Sequence, residues 1–399
     1  MVKDIWWQRP QLRKDEEQQL ERKVGWLELF FDLVFVAVMR ELAHYLSAHI
    51  SLAGVGCFIL LSLPVWWIWV GATYYNERFE TEGLESRVFT FIKMLPVAGL
   101  AVFIHHGLGK TSVGFALSYA AAHAVVTYLW WRGGYHERNF RPTSKRLVIG
   151  YSISIGLFVI SAFVPPPGRF ILWGIGLTVD LLTPLFTIKQ QAALPKLSTS
   201  KLPERFGLFV MIVLGESVIG VVEGVSKNEN LSLLTAFTGL LGMTLVFGFW
   251  WVYFDFIARR PFKQTMGYSF AWAYLHMPLV IAITATGGGI AHVIAANEEA
   301  VLSDNVRILI ASSVAVVLGV IGLIEITLRR KDNELTNPIL SPSLKLGAAL
   351  LIVIFGLLGH GLGSVAFLII LILLVGVQIG YGLYVWIKSL ETSNSTMDN

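Results

Sequence analysis

The sequence predicts an all-α polytopic membrane protein: twelve transmembrane helices in a parallel 6+6 internal repeat, with both termini cytoplasmic. Three observations predict it. The 399 residues are 55% hydrophobic and only 15% charged, against roughly 25% charged in soluble globular domains, and the mean hydropathy is +0.64. The apolar residues fall into twelve runs, each long enough to cross about 30 Å of hydrocarbon. Positive charge is also segregated. Of the 31 Lys and Arg residues, 25 lie at the N-terminus or about the ends of the even-numbered runs, whereas the opposite loops hold Lys110, Arg169, Lys227 and Arg307. Lys and Arg accumulate in cytoplasmic loops, so an even span number and two cytoplasmic ends follow. The net charge of +4 is thus an orientation signal, and no nucleic-acid partner is expected. Membrane lipids are the expected partners, together with a small solute or cation. Cys57 is the single cysteine, which excludes a disulfide framework and a thiolate metal cluster.

In chain order, residues 1–25 form a polar N-terminal arm at the membrane surface. They contain no short apolar segment of the kind a cleaved leader carries, so insertion begins with the helix at Trp26. The first six spans are predicted at 26–46, 51–73, 87–107, 111–131, 146–164 and 169–188. A cytoplasmic linker at 189–204, marked by Pro195 and Pro203, separates them from the second six at 205–225, 231–257, 267–293, 305–327, 343–360 and 364–387. The two six-helix repeats accordingly occupy 26–188 and 205–388, and 389–399 is a polar tail. The pairs Trp66-Trp67, Trp130-Trp131 and Trp250-Trp251 fall in the cytoplasmic halves of their spans, where amphipathic rings suit the interfacial belt and where plain packing also suits them.

The two halves resemble each other in order. Glu28-Leu29-Phe30 through Arg40-Glu41-Leu42 aligns, with one gap, with Glu204-Arg205-Phe206 through Gly215-Glu216-Ser217. Pro64-Val65-Trp66-Trp67 matches Phe249-Trp250-Trp251, and Met94-Leu95-Pro96 matches His276-Met277-Pro278. Halves with an even number of spans share orientation, as parallel repeats do, and solute sites in such proteins tend to lie near the midplane where repeats meet. Glu41 and Glu216 are the matched carboxylates.

Charges at bilayer depth are expensive and normally face protein or a wet cavity. The first span carries Glu28, Asp32, Arg40, Glu41 and His44, and all but Glu41 are spaced by multiples of four along one helical stripe. Glu216, near the middle of the seventh span, is a candidate for a proton or cation site; the competing reading is a carboxyl that only pins helices. Arg40 pairs with Glu41 or with a carboxylate on another span such as Asp180. Glu28, Asp32, Lys93 and Asp255 lie at similar depth, compatible with an ion-paired cytoplasmic vestibule. The substrate- or ion-binding set is therefore Glu216, Glu41, Arg40, Asp32, Asp180 and His276. The histidines show no metal-ligand spacing, and no phosphate-cradling loop, nucleophile elbow or dinucleotide fingerprint occurs. No cofactor, metal or catalytic residue is assigned. Gly287-Gly288-Gly289 marks either a helix interruption or a close helix contact.

At Glu28-Leu29-Phe30-Phe31-Asp32-Leu33-Val34-Phe35-Val36 the chain resembles the bacterial low-temperature-requirement A (LtrA) family. Trp66-Trp67-Ile68-Trp69, Tyr74-Tyr75-Asn76-Glu77-Arg78-Phe79, Glu204-Arg205-Phe206-Gly207-Leu208-Phe209 and Leu214-Gly215-Glu216-Ser217 carry the likeness further, as does His276-Met277-Pro278-Leu279. The resemblance implies a multi-pass protein of the bacterial cell membrane, linked by name to growth in the cold, and implies no substrate. A fainter likeness is to tandem six-helix lysosomal cation channels, which also place Phe and Asp in the first helix. The expected function is a secondary transporter or proton-coupled carrier with a polar midplane site between two repeats. A cation or proton channel, an intramembrane enzyme acting on lipid or isoprenoid substrates, and a non-catalytic cold-stress membrane protein are the alternatives.

Overall fold

A computed structural model of the chain describes residues 6–14, 24–79, 83–226, 232–258, 260–295, 301–330 and 335–397, the side chains beyond Glu391 excepted. Lys227, residues 1–5 and 15–23 of the predicted arm, and the side chains of the polar tail beyond Glu391 lie outside this set. The described residues form twelve long helices and no strand, apart from an isolated bridge between Phe262 and Leu328. They are α1 (Trp26–Ala48), α2 (Leu52–Arg78), α3 (Leu84–Ile104), α4 (Ser112–His136), α5 (Arg141–Ser161) and α6 (Gly168–Leu182). Then follow α7 (Lys201–Ser226), α8 (Leu233–Tyr253), α9 (Met266–Ala295), α10 (Asp304–Thr327), α11 (Leu340–Leu358) and α12 (Ser364–Met397). Each coincides with one of the twelve predicted spans to within a turn or two, save at the longer C-terminal end of α12. Eleven are long and apolar enough to cross a membrane, α6 when taken with its helical continuation to Ala192. The exception is α1, whose 23 residues contain the four charges Glu28, Asp32, Arg40 and Glu41.

Local chemistry explains several boundaries. Gly25 N–H, unsatisfied at the start of α1, donates to Glu28 Oε2 at 3.1 Å, one half of a capping box. Ser232 caps α8 by accepting from the Thr235 N–H at 3.0 Å, and Asn337 Oδ1 accepts from Ile339 and Leu340 N–H at the start of α11. The tight joint between α1 and α2 is closed by His49 N–H bonding Leu46 carbonyl. Pro64, Pro96 and Pro278 lie inside α2, α3 and α9, which continue through them.

The chain divides into two compact units: residues 1–45, 56–205 and 264–267, and residues 46–55, 206–263 and 268–399. In the first, α3 packs along α4, α4 along α5 and α5 along α6. The described N-terminal residues are tied to it: Arg13 reaches Glu77 at 3.4 Å, and Arg132 donates to Gln8 carbonyl at 2.5 Å. Trp66, Trp67, Trp69 and Trp130 are buried there, so these rings serve packing, whereas Trp131 stays exposed. In the second unit α10 packs along α11, and α8 along α12. The triglycine leaves α9 unbroken. Gly287 and Gly289 are buried, and a Cβ at Gly287 would stand 2.6 Å from Ser217 Oγ, one at Gly289 2.7 Å from Ile310 Cγ1. These glycines are close-contact positions, and the interruption reading is set aside.

Candidate functional site

The first unit buries its charges at the N-terminal end of α1. Glu28 and Asp32 are one turn apart and so share a face of that helix. Two cations one turn apart at the start of α7 meet them. Lys201 Nζ lies 3.0 Å from Glu28 Oε2, Arg205 donates to Glu28 Oε1 at 2.9 Å, and its other terminal nitrogen lies 3.3 Å from Asp32 Oδ1. Trp69 of α2 completes the pairing by donating its indole N–H to Asp32 Oδ1 at 2.8 Å. Asp32 is fully buried at 0% exposure, yet its Oδ2 has no hydrogen-bond partner among the described residues. An orphan buried carboxylate oxygen is costly.

Lys93 of α3 is the third cation of this cluster, 2% exposed. Its Nζ sits 4.9 Å from the centre of the Phe31 ring, within cation–π range. It reaches no carboxylate and makes no hydrogen bond among the described residues. Glu28, Phe31 and Lys93 line one cavity of about 400 Å³, together with Asn76, Ser86, Arg87 and Thr90. Of the four residues expected at one depth, Glu28 and Lys93 line this cavity, Asp32 is joined to Glu28 through Arg205, and Asp255 lies in the other unit. Sequence reasoning missed Lys201 and Arg205 as partners, although their four-residue spacing mirrors that of Glu28 and Asp32.

Asp180 of α6 has a different setting. Its Oδ2 accepts from Tyr119 and Ser154 at 2.5 Å each, and Oδ1 lies 2.8 Å from His123 Nε2. Both oxygens are thus engaged by α4 and α5, and neither is bonded to Arg40. Arg40 itself carries an exposed side chain and Glu41 a half-buried one. Tyr119, His123 and Ser154 were not assigned a role from sequence; the signal available was Tyr119 and His123 at i, i+4 in a span of otherwise small or apolar residues.

In the second unit, His276 of α9 is fully buried. Its Nδ1 lies 2.7 Å from the Trp272 carbonyl, which can only accept, so Nδ1 carries the hydrogen and Nε2 accepts from Tyr253 hydroxyl at 3.0 Å. With Phe206 and Trp272 rings against it, His276 is a satisfied core residue. Glu216 of α7 is buried, and Asp255 is exposed. A second buried ion pair joins Lys345 of α11 to Glu325 of α10 at 3.0 Å, with Ser341 and Arg260 also on Glu325. This network was not singled out from sequence. Trp69 of α2 and Tyr253 at the end of α8 each hold a buried polar partner. Among the described residues no group of three His, Cys, Asp or Glu side chains could hold a metal ion.

A family model described as bacterial low temperature requirement A protein (LtrA) matches residues 23–379, from just before α1 into α12. An uncharacterized protein of Rhizobium meliloti (strain 1021) is 26% identical over 298 residues, covering 70% of this chain and 71% of its own length.

Proposed function

The chain belongs to the bacterial low temperature requirement A (LtrA) family, and from that membership and its buried charges we propose a proton-coupled secondary carrier of the bacterial cell membrane. Membership gives a membrane protein with many apolar helices; the carrier activity is our reading. One observation carries it: a cavity lined by Lys93 and Glu28 opens beside a charge cluster in which Arg205 joins Glu28 to a buried Asp32 whose second oxygen is unpartnered among the described residues. A purely structural role would favour groups that are fully satisfied, as Asp180 and His276 are. Ionisable side chains at membrane depth that remain incompletely satisfied mark ion and solute pathways.

In this reading α1 is the twelfth span, its charges tolerated because α2, α3 and the start of α7 cover them. Asp32 exchanges the proton. Arg205 and Lys201 hold Glu28 and Asp32 in position, and Lys93 faces the solute. Glu216, matched by sequence to Glu41, is assigned the corresponding proton-handling role in the second unit.

The test uses proteoliposomes holding the purified full chain and a trapped pH-reporting dye. Sodium phosphate, sodium lactate and sodium glutamate are added in turn as probes. The expected result is solute-dependent proton entry that Asp32→Asn and Glu216→Gln abolish at unchanged protein level. Solute entry unaffected by both substitutions would remove these carboxylates from the mechanism. Unitary currents in a planar bilayer would replace the carrier with a channel.

A further inference from the structure

Ser86, Thr90 and Lys93 stand at i, i+4 and i+7 on α3, so they share one face of the helix. All three line the 400 Å³ cavity, whose size lies at the lower end of small-molecule pockets, about 300–1,000 Å³. Thr90 and Lys93 are buried. Helical Ser and Thr hydroxyls commonly bond the carbonyl one turn back, and in this unit Ser62, Thr178 and Thr183 do so. The Ser86 and Thr90 hydroxyls make no such bond, and neither they nor Lys93 Nζ bond any other described residue.

The charge balance points the same way. Glu28 and Asp32 are already matched by Lys201 and Arg205. Lys93 has no carboxylate within ion-pairing distance among the described residues, Glu85 is buried beside the lining residue Gly83 with neither oxygen hydrogen-bonded to a described residue, and Arg87 adds a further cation on the exposed side of the lining. Glu28, the one acid of the lining, has both oxygens engaged by Gly25, Lys201 and Arg205. What the cavity offers is donors: an amine, two hydroxyls and the Asn76 amide. An anion supplies the partner that a buried amine otherwise lacks.

We propose that this cavity binds a small oxyanion group, carboxylate or phosphate, through Lys93 Nζ and the hydroxyls of Ser86 and Thr90. The inference rests on the carrier reading only in making the anion a cargo; the binding site stands without it. The same chemistry is presented by a soluble anion and by an anionic lipid headgroup, and the experiment separates them.

Equilibrium binding of radiolabelled inorganic phosphate and acetate is measured on the full chain in nonionic detergent. Retention of phosphatidylglycerol is read in parallel by native mass spectrometry. The proposal expects saturable binding of phosphate or acetate, for a soluble ligand, or retained phosphatidylglycerol, for a lipid. In either case Lys93→Met weakens it about tenfold or more, as loss of a charged hydrogen bond does, Thr90→Val weakens it less, and Lys93→Arg restores much of it. Thr90→Val keeps the charge and tests the site even if Lys93→Met fails to fold. The proposal is overturned if the wild-type chain holds none of the three probes, or if both Lys93→Met and Thr90→Val hold them as well as wild type. Proton flux in the proteoliposomes is scored separately. Binding without flux removes the carrier and keeps the oxyanion site; flux without binding does the reverse.

Discussion

Asp32 and Asp180 are both fully buried aspartates of the first unit, and their surroundings differ. Three donors saturate Asp180, so it locks α4, α5 and α6 together. Asp32 is held on one oxygen by Trp69 and Arg205 and left bare on the other. His276 belongs with Asp180. Tyr253→Phe removes the donor to its Nε2, and an unsatisfied buried acceptor costs about 1–3 kcal/mol. The expected outcome is a lower thermal midpoint in detergent with proton-coupled flux per folded molecule unchanged. Lost flux at an unchanged midpoint would instead give His276 a functional role. At this scale the sequence was partly legible. Glu28, Asp32 and Lys93 could be grouped because depth follows from position within a span. Their cations could not, because Arg205 is 173 positions from Asp32 and nothing local links them. Arg40 has an exposed side chain and is not bonded to Asp180, since stripe spacing gives a face without saying what covers it.

The helices were more legible than the contacts between them. Twelve apolar runs became twelve helices because length and hydropathy decide membrane spans almost alone. Glycine was the ambiguous element. Three successive glycines are compatible with unwinding and with close approach, and only the neighbours distinguish the two. Here Ser217 of α7 and Ile310 of α10 lie too near Gly287 and Gly289 for a side chain, and a Gly220 Cβ would meet Ala291 at 3.7 Å. The glycines therefore set how closely α7, α9 and α10 approach within the second unit. Gly287→Val would force these backbones apart, and overpacking of this kind costs about 1–3 kcal/mol. A reduced yield of monodisperse protein and a lower thermal midpoint are expected. A variant as stable as wild type would show that α7 and α9 separate without penalty.

For the molecule as a whole, the exposed large side chains are those of a lipid-facing surface: Leu350, Leu351, Leu357 and Leu358 on α11, and Leu373, Val377 and Ile387 on α12. The segregation of Lys and Arg in the sequence leads to the expectation that both termini are cytoplasmic. A fluorescent-protein fusion at either terminus is expected to be fluorescent, and an alkaline phosphatase fusion after α11, near Gly361, to be active. An active phosphatase at the C-terminus would reverse the orientation.

A carrier with an oxyanion site in this cavity requires the donor-lined face of α3 to be open to water and solute. Cys57 is the single native thiol, so Thr90→Cys in a Cys57→Ala background gives one reporter inside the cavity. A membrane-impermeant thiol reagent is applied to each side of oriented vesicles. Modification from the cytoplasmic side, slowed by saturating phosphate or acetate, is the predicted result. A cysteine that reacts from neither side until the protein is denatured would contradict it.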